Sequence, residues 1–284
     1  AILEPAAGSQ PPAALPAAGL SARVSSPVED GLRAALGAGH FVAAGPLALP
    51  GPFNGAVGPE RALATADLPR TSVLEIKRHL GGTVDDVALA TVALAVGRHL
   101  RRHRGERIPE RLRTMVPVST RTAAQVHAPG NQVSAFFVDL PLRAGPVDCL
   151  HEIATAKSLR RSWHEALGVG AVVKGSALIP PLMGLTSRWL TYAPLAFAHL
   201  IVSDIPGPSQ QLALLGAPLV GMYPLMPLAP GCGLSIALLA LGENVGVGLT
   251  ADPALVPDLA GLAREITAAF ASLERAAQAV PRRR

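Results

Sequence analysis

The best general bases in this 284-residue chain are its eight histidines, because imidazole titrates closest to neutral pH. They are scattered, and no two are adjacent. His99 and His103 stand four residues apart, a spacing that puts both on one helix face, as in metal-binding helices. A zinc-protease helix would carry a glutamate beside the first of them, whereas Arg98 and Leu100 flank His99 here. Five arginines within a few residues oppose a cation, so no metal site is expected. Asp85 and Asp86 are adjacent carboxylates, but neighbours on a helix point in different directions. Asp86 follows Thr83 by three residues and reads as one half of a capping box. Cys149 and Cys232 form neither a disulfide framework nor a metal-ligand pattern and read as inert small residues. The chain contains no GxSxG elbow, no P-loop and no GxGxxG opening a helix.

The elements that must position these groups are mixed. Residues 1–50 are rich in Pro, Ala, Gly and Ser and read as a linker, with a weak helix around 28–36. From residue 51 the texture becomes that of a domain, expected to run to 280, with a basic tail at 281–284. Strands are predicted over 61–68, 114–118, 131–140, 200–205, 212–222, 234–241 and 244–250. Helices are predicted over 72–80, 84–103, 146–163 and 257–277, with two apolar helices over 169–198 broken at Pro180 and Pro181. The helix at 84–103 is apolar around most of its circumference and should be buried. In the helix at 146–163, Glu152, Lys157, Arg160 and Arg161 form the polar face. The order lacks a regular βαβ repeat, so the fold class is α/β: a mixed β-sheet flanked by helices.

Composition excludes several functions. Hydrophobic residues make up 49% and charged residues 16%, which rules out disorder of the whole chain. The mean hydropathy of +0.35 raises a membrane reading, and residues 205–242 carry no charge. Six prolines interrupt that stretch, and a broken backbone cannot be satisfied in lipid. It is expected to be a buried, β-rich core. Residues 1–20 lack a basic stretch ahead of an apolar run, so no signal peptide is expected there. The net charge of +5 equals that of residues 98–113 alone, with seven Arg and two Glu, and aromatics are only 4%. A nucleic-acid binder would interleave stacking aromatics with its basic residues. The basic run therefore reads as a solvated helix end and loop, with docking to anionic lipid or CoA phosphates as the other account.

Six uncommon strings follow in order: PFNGAVG at 52–58, GGTVDDVALA at 81–90, MVPVSTR at 115–121, GNQVSAFFVDLP at 130–141, VSDIPGP at 202–208 and MYPLMPL at 222–228. Together they resemble the C-terminal part of the bacterial wax ester synthase/diacylglycerol acyltransferase (WS/DGAT) family, which reads FNGPIG, TVNDVVLA, MVPVSVR, GNxVS, SNVPGP and MYPLSPL at the matching places. The resemblance covers 52 to about 277. It implies one half of a CoA-dependent acyltransferase two-domain fold, built around a tunnel. The family moves a fatty acyl group from acyl-CoA to the hydroxyl of a diacylglycerol or a fatty alcohol, giving triacylglycerol or wax ester. Acyl-CoA is a substrate, and no cofactor is implied. The second His of an N-terminal HHxxxDG motif deprotonates the acceptor, since an alcohol is a poor nucleophile at neutral pH.

The chain has no HHxxxDG, so no catalytic residue is assigned in it. Its expected partner is an N-terminal acyltransferase domain, in the same or a separate chain, and nucleic acid is not expected. By resemblance the parent enzyme is cytoplasmic, with peripheral contact at the inner membrane or lipid inclusions. Asn131, Ser134, Ser203 and Asp204 are the candidate substrate-binding residues, with Ser203 facing the thioester oxyanion or the CoA arm. Asn54, Gly55, Asp85, Asp86, Pro206, Gly207, Pro208, Tyr223 and Pro224 form the structural motifs. Asp85 and Asp204 stand where the family has asparagine, and an ionised carboxylate accepts hydrogen bonds but cannot donate them. The alternative readings are a lipid- or protein-binding module that lost its chemistry and one subunit of a split acyltransferase.

Overall fold

The structure, a computed structural model, describes residues 4–5, 50–119, 133–162, 198–208 and 212–280. Strands β2 (Ala62–Pro69), β3 (Arg111–Ser119), β4 (Val133–Pro141), β5 (Leu200–Ile205), β8 (Leu234–Leu241) and β9 (Asn244–Ala251) form one six-stranded sheet in the order β2-β9-β8-β5-β3-β4. β5 runs parallel to both β8 and β3, and the other neighbouring pairs are antiparallel. The sheet is mixed, as expected from the irregular order of elements. A second small sheet joins β1 (Glu4–Pro5), β6 (Leu212–Leu214) and β7 (Ala217–Pro218).

Alternation along the strands divides the two faces of the large sheet. Val202 on β5, Ile236 and Leu238 on β8, and Val247 and Leu249 on β9 join the hydrophobic core with the helices. These helices are α1 (Arg70–Leu80), α2 (Val84–Arg104), α3 (Pro146–Ser162) and α4 (Leu259–Ala279). α2 is buried around its circumference from Val87 to Val96, as its apolar composition requires. Small residues let it sit close to its neighbours. A Cβ on Gly97 would lie 2.5 Å from the Leu142 carbonyl oxygen. Among the described residues, no single helix is long and apolar enough to cross a membrane.

Three sequence expectations need correction. The strand predicted over 212–222 is instead the short β6–β7 hairpin, turning at Leu215 (φ 50°) and Gly216 (φ 82°), followed by residues without regular structure. Two consecutive left-handed residues cannot continue a strand. The uncharged stretch at 205–242 is not buried throughout: β8 is core, whereas Leu215, Val220, Tyr223 and Leu225 are exposed. Lys157, placed on the polar face of its helix, is 4% exposed. The weak helix near 28–36, the two helices over 169–198 and the basic tail lie outside the described residues.

The basic run is also more than a solvated loop. Arg98 donates to Ser272, Arg101 to the Leu142 carbonyl, Arg102 to Glu265, Arg104 to the Pro52 carbonyl and Arg111 to Glu152. Five of its seven arginines therefore link α2 and β3 to the rest of the domain.

Candidate functional site

The TVDD string builds the first part of the site. Thr83 caps α2: its Oγ1 accepts from the Asp86 N–H at 3.2 Å, while Asp86 Oδ2 accepts from the Thr83 N–H at 2.8 Å. Asp86 thus caps the helix as its spacing predicts, and it also meets a cation. Lys157, reaching in from α3, hydrogen-bonds Asp85 Oδ2 and lies 2.7 Å from Asp86 Oδ1. Burial works against the Asp86 charge, but Lys157 and the Thr83 bonds outweigh it and hold the carboxyl below its usual range.

Asp204 belongs to the same cluster. On β5 it pairs with Leu238 and follows Leu200 and Val202 in pointing toward the helices. It closes one side of a cavity of about 20 Å³ whose other walls include Val84, Val87, Thr91, Leu238 and Phe270, enough for one water. Burial pushes its carboxyl up to about 6, the Asp85 charge adds to the rise, and Lys157 opposes it. The two positions at which the chain departs from the family's asparagines therefore act on each other through space, around one buried lysine.

Ser203 lies on the other face. Alternation turns it away from the helices, beside Ala237 of β8, and it is 8% exposed. The two neighbouring candidates of the VSDIPGP string are thus separated by the thickness of the sheet, and Ser203 and Asp204 do not line one surface. After β5 the chain must turn closely past β8. A Cβ on Gly207 would fall 1.5 Å from the Ala240 carbonyl oxygen, so only glycine fits between Pro206 and Pro208.

The MYPLMPL segment covers part of the face that carries Ser203. Tyr223 donates its hydroxyl hydrogen to Asp67 Oδ1 of β2 at 2.7 Å. Cβ atoms on Gly246 and Gly248 of β9 would lie 2.1 Å from the Met222 and 2.0 Å from the Pro224 carbonyl oxygens. Ser235 of β8 donates to the Pro227 carbonyl at 3.3 Å. The segment therefore crosses β2, β9 and β8 in turn, held by backbone contact rather than by a side-chain core. Ala237 pairs with both Gly248 and Ser203, so Pro224 rests two strands, roughly 10 Å, from Ser203.

Asn54 is a structural knot. Its Nδ2 donates to the Ala198 and Gly231 carbonyls, both at 2.9 Å, and its Oδ1 accepts from the Gly51 N–H at 2.7 Å. Gly55 follows, where a Cβ would press to 2.7 Å from Leu255 Cδ2. Of Ser134 only the backbone is described, paired with Val118 between β4 and β3, and Asn131 lies outside the described residues. Both cysteines are buried, with thiols pushed up by burial to about 12 for Cys149 and about 11 for Cys232, so neither offers a thiolate at neutral pH.

The sequence reading missed Lys157, Gly246 and Gly248. The glycines carried a signal, since two of them alternating within an apolar strand mark a close backbone approach. Lys157 carried a weaker one, as one of only three lysines in a chain whose other cations are arginines.

A family model described as the WS/DGAT C-terminal domain matches residues 129–274. The chain is 33% identical over 234 residues to a putative diacylglycerol O-acyltransferase of Mycobacterium tuberculosis, covering 79% of this chain and 45% of that protein. It therefore spans about half the length of the relatives it matches. Its fold resembles that of the wax ester synthase/diacylglycerol acyltransferase from Marinobacter aquaeolei VT8, with a TM-score of 0.63 at 21% identity, over 89% of this chain and 57% of that one. It also resembles the starter condensation domain of rhizomide synthetase, solved with C8-CoA and Leu-SNAC, with a TM-score of 0.52 at 15% identity over 89% and 53%.

Proposed function

This chain belongs to the WS/DGAT family, whose C-terminal domain it carries, and from that membership we propose that it forms one wall of the substrate tunnel of an O-acyltransferase. The reaction is transfer of a fatty acyl group from acyl-CoA to the hydroxyl of a diacylglycerol or a fatty alcohol. The base that deprotonates the acceptor belongs to an HHxxxDG-bearing N-terminal half, in the same or a separate polypeptide, since this sequence contains no such motif. The relatives' names favour this reading over a module that kept the fold for binding alone.

One structural observation supports the assignment of the wall. The sheet face away from the helices carries Ser203, and the proline-rich segment that crosses it at 222–228 is held to the sheet by polar contacts. Tyr223 and Leu225 of that segment remain exposed. Such a surface can take an acyl chain against apolar side chains while a hydroxyl waits nearby for the developing charge. In this reading Ser203 donates to the thioester oxyanion as the acceptor oxygen attacks, a role in which one donor typically contributes a hundredfold or more. Gly207 and the flanking prolines fix the loop that follows it. Asn131 and Ser134 are placed on the tunnel wall by resemblance to the family's GNxVS string. Acyl-CoA enters as substrate, and the neighbour solved with C8-CoA makes that class of donor reasonable for this fold.

We assign the parent enzyme to the cytoplasm, in peripheral contact with the inner membrane or lipid inclusions. Because five arginines of the basic run are engaged within the domain, such docking rests more on the tail at 281–284 than on that run.

The test is reconstitution. The chain is combined with an N-terminal half bearing HHxxxDG, and acyl transfer from palmitoyl-CoA to dioleoylglycerol and to hexadecanol is measured. Turnover is expected only with both halves present, and Ser203→Ala is expected to lower kcat at least tenfold with little change in the KM for acyl-CoA. Turnover by the chain alone would refute the missing-base assignment. An unchanged kcat in the serine variant would refute the role of Ser203.

A further inference from the structure

The far end of α2 carries a second constellation. His99 and His103 stack on one side of the helix with ring centroids 4.5 Å apart. The third member comes from 155 residues further along the chain. Asp258, the N-cap of α4, places Oδ2 at 3.5 Å from His103 Nε2 while its Oδ1 accepts the Gly261 N–H at 2.8 Å. One ligand atom from each of the three residues lies within 4.8 Å of the other two. His99 is 3% exposed, and its buried Nδ1 has no hydrogen-bond partner.

We propose that His99, His103 and Asp258 form a binding site for a borderline transition-metal ion, Zn²⁺ above all, that clasps the C-terminal end of α2 to the N-terminal end of α4. Two imidazoles and one carboxylate suit zinc, cobalt or nickel and do not suit magnesium or calcium, which prefer oxygen ligands. Three protein ligands leave a fourth position for water. The arginines that argue against a cation in the sequence make their hydrogen bonds elsewhere, although the Arg102 charge is still felt at His99. Arg98, Arg101, Arg102 and Arg104 bond Ser272, Leu142, Glu265 and Pro52 respectively. Arg264 is 3.9 Å from Oδ1 of Asp258, not the oxygen that faces His103. Tetrahedral zinc with bonds near 2.0–2.1 Å holds its ligands about 3.3 Å apart. His103 and Asp258 already stand 3.5 Å apart, so the closure, up to about 1.5 Å, falls on His99 and its two partners. The site is some 14 residues, about 21 Å, along α2 from Asp85, so its role is to fasten the two helices and not to act on substrate.

The experiment uses the full chain, stripped with a chelator and titrated with ZnSO₄ by calorimetry and with Co²⁺ by visible absorbance. One ion per chain is expected, with the intense visible bands of four-coordinate cobalt and a rise in Tm on adding zinc. His103→Ala, at an exposed position, is expected to weaken zinc binding at least tenfold and abolish the cobalt bands. Asp258→Asn keeps a capping oxygen for α4 and is expected to weaken binding by a similar factor. His79→Ala, on α1 and outside the cluster, is expected to bind zinc as the parent does. No uptake by the parent chain, or parent-like uptake by a folded His103→Ala or Asp258→Asn variant, would overturn the assignment.

Discussion

Replacing Asp204 by asparagine is expected to stabilise this protein at neutral pH and to leave its stability almost unchanged in acid. Burial and the Asp85 charge raise the Asp204 carboxyl from 3.8 to about 6. Holding it ionised in the folded state therefore costs about 3 kcal/mol above pH 6. A raised acid binds its proton in the folded chain when the unfolded chain has already released it. The penalty is small near pH 4, grows through the window between the two values and is complete above about 6. Water in the adjoining cavity and movement of Lys157 reduce it, so the expected gain at pH 7.5 is about 1–3 kcal/mol, or roughly 2–10 °C in Tm for a domain of this size. At pH 4 the difference falls below about 1 kcal/mol. Urea unfolding of parent and variant at pH 4, 5, 6 and 7.5 measures this directly, and carboxyls outside the cluster cancel in the comparison. A variant no more stable than the parent at pH 7.5, or a gap that ignores pH, would refute the electrostatic reading of this cluster.

Two other perturbations test the same framework. Lys157→Met removes the cation from Asp85 and Asp86 and leaves the buried Asp86 carboxylate with its Thr83 bonds alone, so a loss of about 3–5 kcal/mol is expected in urea unfolding at pH 7.5; a change below 1 kcal/mol would mean that the acids find water instead. Gly207→Ala and Gly248→Ala each force a Cβ onto a carbonyl oxygen and are expected to cost about 1–3 kcal/mol. Gly248→Ala is also expected to speed proteolytic cleavage within 222–228, because only that variant lifts the segment from the sheet. Equal cleavage rates in the two variants would contradict the packing described.

Much of the fold was legible from local signals. The capping box of Thr83 and Asp86, the all-round apolar α2 and the breaks at Gly81 and Gly82 each follow from interactions spanning a few residues. What local pattern could not supply was the environment of a side chain fixed by distant elements. Lys157 looks like a solvated lysine because its own helix gives it polar neighbours, and only the approach of α2 buries it. Ser203 and Asp204 look like one motif because they adjoin in sequence, but a strand sends neighbours to opposite faces. The predicted strand at 212–222 failed because β-favouring residues there are interrupted by a turn needing positive φ at Leu215 and Gly216. Asp258 could not be joined to His99 and His103 at all, since nothing in the sequence places the start of α4 at the end of α2.

The two substituted asparagines take on a different meaning once their positions are known. Read along the chain, Asp85 and Asp204 are separate departures from the family strings, and each looks like drift after catalysis was released. In the fold they meet at one place, and the charge each introduces is felt by the other. Asp85 is bonded to a lysine that is itself buried, and a buried ammonium has no stable state without carboxylates around it. Here three acids gather around one buried lysine on the helix side of the sheet, the excess negative charge raises the Asp204 carboxyl, and Ser203 lies on the opposite side. The departures therefore bear on how α2, α3 and β5 are fastened together, on the side of the sheet away from Ser203.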